Sequence, residues 1–371
     1  MASREETAAM KQALRLARYG KGNTFPNPMV GAVILDSGGN PAGDGFHRKC
    51  GAPHAEVVAL ASAGEDAREG TLVVTLEPCC HMGRTGPCTE EIIKSGIGRV
   101  VVAMEDPDPR MRGKGIQQLR DAGIDVETGV LSGEARELNR VYIHFQETSR
   151  SWVTLKMAMS LDGRIATPDG GSRWISCQDS RRLVHRKRGT VQAVMTGAGT
   201  VREDDPELTV RLVDTPPGGH PVRLVVTSSG DFGDSKKIFQ GRTRVIVAAP
   251  EGLSEGLAHL TERANVEIWE FPPDDRGRIS LESLLKRTAE EGLGHIMVEA
   301  GSVLSTDLLR SKLVNSVCIF TAPKILGDGG RPAFGDLNIS CMEEVSELKD
   351  VSCMSSGIDF LVEGEVVYRS D

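Results

Sequence analysis

Residues 51–60 read GAPHAEVVAL, and this stretch predicts the start of a helix. Gly51 and Pro53 precede His54, and an apolar face follows. His54 and Glu56 are two residues apart, so in mid-helix their side chains would point about 200° away from each other. At the first turn, where side chains extend past the helix end, both can serve one site. The stretch therefore predicts a helix that carries a polar site at its N-terminus.

Strands and further helices are predicted on both sides of this helix. Met10, Leu14 and Ala17 recur at helical spacing near the N-terminus. The predicted strands of the first half are residues 29–35, 71–76 and 99–104, and a hairpin is predicted at the turn DSGGN. Continuous Val and Ile runs between helices indicate a sheet covered on both faces, so the first half is predicted to be an α/β domain.

The polar segment HFQETSRS, residues 144–151, interrupts this pattern. A chain of 371 residues is also long for one core, so we predict two domains, residues 1–147 and 148–371. The second domain again alternates strands and helices. Its predicted strands are residues 152–160, 193–197, 222–227, 245–249, 295–301, 316–322 and 360–368, and its predicted helices lie near residues 178–188, 281–292 and 303–311.

Composition excludes several classes of function. The net charge is −8 with both signs spread along the chain, which argues against a nucleic-acid partner. No apolar run approaches the ~18–20 residues of a membrane span, and the charged N-terminus does not resemble a secretory signal. We therefore expect a cytoplasmic protein without membrane partners, whose eight cysteines do not form a disulfide framework. The basic segment 180–189 is either a solvated helix face or a surface for an anionic small molecule.

Three residues have the chemistry of a zinc site, and they are His54, Cys79 and Cys88. Catalytic zinc takes three His or Cys ligands and leaves a fourth position for water. With Glu56 as a carboxylate beside that water, the set matches the zinc nucleobase-deaminase pattern H-x-E followed by P-C-x-x-C. Here eight residues, rather than two, separate Cys79 from Cys88. Hydrolytic removal of a ring amino group is the predicted chemistry.

Two alternatives to this zinc site stay open. A structural zinc site would be closed by a fourth ligand, for which Cys80 and His81 are the candidates. The chain could also bind no metal at all. Glu56 separates these possibilities, because only a hydrolytic site needs its carboxylate.

Three segments of the first half resemble the deaminase half of the bifunctional riboflavin-biosynthesis deaminase/reductases, the RibD family: PNPMVGAV (26–33), HRKCGAPHAE (47–56) and TLEPCCHMGRTGPC (75–88). The long spacing between the two cysteines is typical of that family. The resemblance implies a cytidine-deaminase-like α/β/α sandwich with His54, Cys79 and Cys88 as zinc ligands and Glu56 as the proton shuttle. It also implies four substrate contacts, at Asn27, His47, His81 and Arg84. An Asn side chain can both donate to and accept from a pyrimidine edge, and His and Arg suit a phosphate.

The second half has no G-x-G-x-x-G fingerprint, but four of its segments resemble the reductase domain of the same family: KMAMSLDGRIAT (156–167), GGSRWIS (170–176), GAGTVREDDPELTVR (197–211) and APKILGDGG (322–330). The resemblance implies a dihydrofolate-reductase-like α/β fold that uses NADPH. The implied cofactor contacts are Ala158, Trp174, Thr200, Asp204, Ser228 and the turn from Gly301. The implied substrate contacts are Ser172, Arg188, Leu208, Arg211 and Glu299. Lys156 and Asp204 would lie close to the reaction centre.

These observations lead to one hypothesis and three rivals. The chain is predicted to deaminate 2,5-diamino-6-ribosylamino-4(3H)-pyrimidinone 5′-phosphate with zinc and then to reduce the ribosyl chain to ribityl with NADPH. Its partner is then a small pyrimidine ribosyl phosphate, and we expect a homo-oligomer. The rivals are a monofunctional deaminase with a non-catalytic second domain, an enzyme that edits bases in tRNA or DNA, and a zinc-stabilised binding module.

Overall fold

The computed structural model describes residues 2–81, 86–216, 218–232 and 235–369. The chain divides into two compact units, Met1–Ser149 and Arg150–Asp371. Within the described ranges, no helix combines the length and the apolar character that crossing a bilayer requires.

The first unit is built on a five-stranded sheet in the order β2-β1-β3-β4-β5. β1 runs antiparallel to both of its neighbours, whereas β3, β4 and β5 are parallel. The strands are β1 (Gly31–Leu35), β2 (Pro41–Phe46), β3 (Thr71–Val74), β4 (Arg99–Val102) and β5 (Asp125–Thr128). The helices are α1 (Arg4–Ala17), α2 (Ala55–Ala63), α3 (Cys88–Ser95), α4 (Lys114–Asp121), α5 (Ser132–Leu138) and α6 (Arg140–Thr148).

Both faces of this sheet are covered, because its strands carry apolar side chains on either side. Ala32 and Ile34 of β1 pack in one core with α2, α3 and α4, whereas Val33 packs in the other with α1, α5 and α6. The predicted α/β layers with helices on both faces are therefore present.

Helix α2 lies very close to β2. A methyl group at Gly45 would stand 2.7 Å from Val58 Cβ and 2.8 Å from the carbonyl oxygen of Ala55. These distances are shorter than side chains tolerate, so the absence of a side chain at Gly45 allows α2 to pack at this distance.

The second unit is built on a nine-stranded sheet in the order β11-β10-β9-β8-β12-β6-β13-β16-β15, and β7 pairs separately with β14. The neighbours from β11 to β13 are parallel, and the last two strands form an antiparallel hairpin on β13. The strands are β6 (Trp152–Ser160), β7 (Arg164–Ala166), β8 (Ala193–Gly197), β9 (Val222–Val226), β10 (Val245–Pro250), β11 (Val266–Phe271), β12 (His295–Val298), β13 (Ser316–Ala322), β14 (Arg331–Pro332), β15 (Glu347–Ser356) and β16 (Asp359–Val367). The helices are α7 (Gln178–Arg188), α8 (Ala198–Asp204), α9 (Ser254–Thr261), α10 (Leu281–Glu290) and α11 (Ser302–Arg310).

Sequence reasoning missed three strands of the main sheets. β5 is short and mostly polar, and every residue of β15 except Ser356 is exposed, so neither carries a hydrophobic pattern. β11 is apolar except at Glu267 and Glu270, but its buried residues Val266, Trp269 and Phe271 do not follow a strict alternation. Its β-branched and aromatic composition was the available signal.

Candidate active sites

Three side chains from separate elements converge in the first unit. His54 is the N-cap of α2, Cys79 follows β3, and Cys88 is the first residue of α3. His54 Nδ1 lies 3.2 Å from Cys88 Sγ and 3.4 Å from Cys79 Sγ, and all three donor atoms lie within 4.8 Å of one another. The extended backbone of His54 lets its ring reach past the helix end, as predicted.

This donor set fits a zinc ion. One imidazole nitrogen and two thiols are the ligands of a three-ligand catalytic site. The Cys88 thiol donates a hydrogen bond to Cys79, which lowers the pKa of the Cys79 thiol and raises that of Cys88. The backbone N–H of Cys88 also donates to Cys79 Sγ at 3.4 Å. Among the described residues, neither Cys80 nor His81 joins the cluster, so the fourth position is left open there.

Glu56 lies on the first turn of α2 and is 3% exposed. Burial raises the pKa of its carboxyl to about 7, because the charged form is poorly solvated there. The Cys88 thiol lies within hydrogen-bonding reach of the carboxyl group. A carboxyl group with this pKa can accept and release a proton near neutral pH.

Two of the four predicted substrate contacts adjoin the cluster. The His47 ring lies edge-on to that of His54, with 5.3 Å between centroids. Its Nδ1–H donates to the carbonyl oxygen of Pro53 at 3.1 Å, so its Nε2 accepts from the Asn27 amide at 3.1 Å. His81 is exposed, with Nδ1 2.8 Å from Met111 Sδ. Arg84 lies outside the described residues.

Glu77 is a buried residue that sequence reasoning missed. Its carboxylate accepts backbone N–H groups from Asp106, Gly113, Gly115 and Ile116 at 2.8–3.3 Å. A methyl group at Gly115 would stand 2.0 Å from the Pro78 carbonyl oxygen, so this loop packs directly on the chain that leads into Cys79. Glu77 thereby holds the Cys79 backbone against the loop and the start of α4.

The second unit contains a cavity of about 1630 Å³. The cavity is lined by all twelve residues that the resemblance assigned to the reductase site: Lys156, Ala158, Ser172, Trp174, Arg188, Thr200, Asp204, Leu208, Arg211, Ser228, Glu299 and Gly301. The sequence brings them there from the ends of several parallel strands and the helices that follow, which is where open α/β sheets bind ligands.

Glu299 forms a buried ion cluster in this cavity. Arg188 donates to it through two nitrogens, at 2.6 and 3.0 Å, and Lys156 Nζ lies 3.5 Å away. Burial alone would raise the pKa of Glu299, but the two cations outweigh it and hold the pKa at about 2. Arg188 also donates to the Thr209 carbonyl oxygen, so its guanidinium is largely engaged by the protein. The resemblance implies that Arg188 contacts substrate; in the structure its guanidinium binds and positions Glu299.

The remaining cavity residues form smaller groups. Ser172 donates to Asp204 at 2.8 Å, and the Gly301 backbone N–H donates to the Thr200 hydroxyl at 3.1 Å. Trp174 is 61% exposed, and the Arg181 guanidinium lies 4.4 Å from its ring centroid. An exposed aromatic face at a cavity can cover a flat ligand.

Known proteins match the chain across both units. Residues 151–362 match the RibD C-terminal domain, and residues 3–104 match the cytidine and deoxycytidylate deaminase zinc-binding region. The riboflavin biosynthesis protein RibD of Aquifex aeolicus is 42% identical over 353 residues, which cover 95% of this chain and 96% of that protein. The chain belongs to the RibD family.

Other RibD proteins agree in sequence and in structure. RibD of Escherichia coli is 37% identical over 332 residues, covering 87% of this chain and 89% of that one. The solved structure of Acinetobacter baumannii RibD has a TM-score of 0.87 at 35% identity and covers 98% of this chain and 99% of that one. A deaminase/reductase from Thermotoga maritima has a TM-score of 0.83 at 37% identity with the same coverage.

Membership in the RibD family confirms the fold class, a cytidine-deaminase-like domain followed by a dihydrofolate-reductase-like domain. The chain is a bifunctional enzyme of riboflavin biosynthesis, a hydrolase and an oxidoreductase, and acts on a small molecule. Its cofactors are zinc in the first domain and NADPH in the second. A monofunctional deaminase is therefore not favoured.

Proposed function

We propose that the first unit hydrolyses the 2-amino group of 2,5-diamino-6-ribosylamino-4(3H)-pyrimidinone 5′-phosphate. The observation that carries this proposal is the open set of His54, Cys79 and Cys88, with the buried carboxyl of Glu56 beside it. Zinc bound by these three residues would supply a water that loses a proton readily near neutral pH. Glu56 accepts that proton and delivers it to the ring nitrogen. It then carries the second proton of the water from the new C–OH group to the amino group, whose C–N bond breaks as ammonia leaves.

The neighbouring residues position the pyrimidine. Asn27 donates to His47 through its amide nitrogen, which leaves its carbonyl oxygen to accept from a ring N–H or amino group. His47 fixes that orientation, because both of its ring nitrogens are engaged. We assign His81 and Arg84 to the phosphorylated sugar, on the chemistry of their side chains.

The second unit reduces the deaminated product at the sugar C1. NADPH in the cavity would supply the hydride. Lys156 lies beside Glu299, inside the cavity, and protonates the ribose ring oxygen as the ring opens. Asp204, oriented by Ser172, adjoins the reaction centre. Arg211 holds the phosphate, because a guanidinium suits a phosphate and its ion pair with Glu207 is exposed and can be exchanged for one with the ligand. Trp174, Thr200, Ser228, Ala158 and Gly301 hold the cofactor.

One experiment tests both steps. The diaminopyrimidine phosphate is incubated with the pure chain, with and without NADPH, and the products are identified by mass spectrometry. We expect the amino group to be replaced by oxygen in both samples, and two further hydrogens only where NADPH is present. NADPH oxidation without prior deamination, or a deaminated product that is never reduced, would contradict the corresponding step.

We further propose that the enzyme works as a homo-oligomer in the cytoplasm. The edge strand β15 is exposed along nearly its whole length, and it carries the apolar side chains Val351 and Met354. None of the eight cysteines, all of which the structure describes, forms a disulfide, which is compatible with a reducing compartment. Light scattering of the purified chain tests the first proposal, and a monomer at micromolar concentration would contradict it.

A further inference from the structure

His185 is a buried titratable residue of the reductase cavity to which neither the sequence nor the proposed reaction assigns a role. It lies on α7 one turn before Arg188, is 5% exposed and lines the cavity. Residues three apart share one face of a helix, so the imidazole lies on the face that carries Arg188 to Glu299.

The hydrogen bonds of His185 determine which ring nitrogen carries the proton. The backbone N–H of Arg211 donates to Nδ1 at 2.9 Å, so Nδ1 is an acceptor and the hydrogen of the neutral ring is on Nε2. Among the described residues, Nε2 has no hydrogen-bond partner, and it is not one of the enclosed unpaired polar atoms. The Nε2–H group is therefore reached from the cavity.

The charged groups around His185 keep it neutral. Arg188, Arg211 and Lys156 face it as cations, and Glu299 is the anion. Burial and these cations lower the pKa of His185 to about 4, although Glu299 opposes them. Around pH 7 the ring is therefore a fixed hydrogen-bond donor and is too weak a base to remove a proton.

We propose that His185 is a further substrate-binding residue of the reductase, whose Nε2–H donates to a phosphate oxygen of the phosphorylated sugar. This inference rests on the proposed reductase function. Arg211 is the cation next to His185 that lies nearer to solvent: its side chain is 44% exposed and pairs with Glu207, itself 41% exposed, at 2.8 Å, whereas Arg188 is held by the buried Glu299. A neutral donor beside Arg211 completes an oxyanion site without adding a cation to the buried cluster.

Two substitutions separate binding from local structure. His185→Asn places an amide where Nδ1 lies, so it can still accept from the Arg211 N–H but has no donor at the Nε2 position. His185→Gln places an amide nitrogen at the Nε2 position. The probe is D-ribose 5-phosphate, titrated into the full chain by calorimetry. We expect His185→Asn to weaken binding about tenfold to a hundredfold and His185→Gln to stay within about threefold of the original chain.

The KM for the deaminated substrate should rise by the same factor in His185→Asn while kcat holds, as for an interaction made equally in the ground and transition states. The opposite order, with His185→Asn normal and His185→Gln impaired, would assign His185 to holding the Arg211 backbone and overturn the proposal. Unchanged binding in both variants would overturn it as well. If the original chain neither binds ribose 5-phosphate nor reduces the substrate, the reductase function fails with it. If the original chain does both and His185→Asn is unaffected, only the role of His185 fails.

Discussion

Replacing Glu299 by Gln should destabilise the second unit by about 3 kcal/mol. The carboxylate is buried between Arg188 and Lys156, and its pKa is held at about 2 instead of its ordinary 4.5. Each unit of such a difference is worth ~1.4 kcal/mol, which gives the figure of about 3 kcal/mol. Removing one partner of a buried charge cluster typically destabilises by ~3–5 kcal/mol, in agreement.

Tryptophan fluorescence is a suitable assay, because all three tryptophans, Trp152, Trp174 and Trp269, lie in the second unit. A loss of about 3 kcal/mol corresponds to a fall in Tm of about 6–12 °C for a domain of this size. Glu363→Gln is the matched control, because Glu363 pairs with Lys187 at 2.5 Å and is 31% exposed, against 10% for Glu299. The Glu363→Gln substitution should lower the free energy of unfolding by about 1 kcal/mol or less.

The pH dependence gives a second readout of the same interaction. Because the folded-state pKa is depressed, the stabilisation by Glu299 is complete above pH 4.5 and declines as the pH falls towards 2. The difference between the original chain and Glu299→Gln should therefore shrink over that interval. A Glu299→Gln protein within about 1 kcal/mol of the original at pH 7 would refute the reasoning.

Three further substitutions address the first unit. Glu56→Gln should keep its zinc and its Tm while ammonia release falls by about 10²–10⁴-fold, and deamination within a few-fold of the original would contradict the proton-shuttle role. Cys88→Ser should lower the zinc content per chain, as measured by atomic absorption, and a full complement of zinc would exclude Cys88 as a ligand. Glu77→Gln should lower the free energy of unfolding by about 1–3 kcal/mol, because an amide cannot accept as strongly from four buried N–H groups, and calorimetry measures this loss.

Much of the zinc site could be predicted because its chemistry depends on residue type and on where a helix begins. The glycine and proline before His54 marked the helix start, and the structure places His54 at the N-cap. Glu77 could not be found in the same way. A carboxylate next to a proline and two cysteines looks like a possible ligand or a surface charge, and only the folded loop shows that backbone N–H groups surround it.

The reductase cavity shows a similar limit. The resemblance brought Arg188 and Glu299 to one site, but a one-dimensional sequence contains no sign that they bind each other. His185 was visible only as one residue of a basic segment, because its role depends on a backbone N–H that is 26 residues away along the chain. Polar strands such as β15 depend on pairing with a neighbour, which local composition does not encode.

Because α2 packs so closely on β2, the position of the Glu56 side chain depends partly on the lack of a side chain at Gly45 of β2. With no side chain at Gly45, α2 packs directly on the backbone of β2. Moving the first turn of α2 towards β2 would create a clash, and moving it away would lose the contact. Directed evolution for altered pyrimidines should therefore meet intolerance at this glycine.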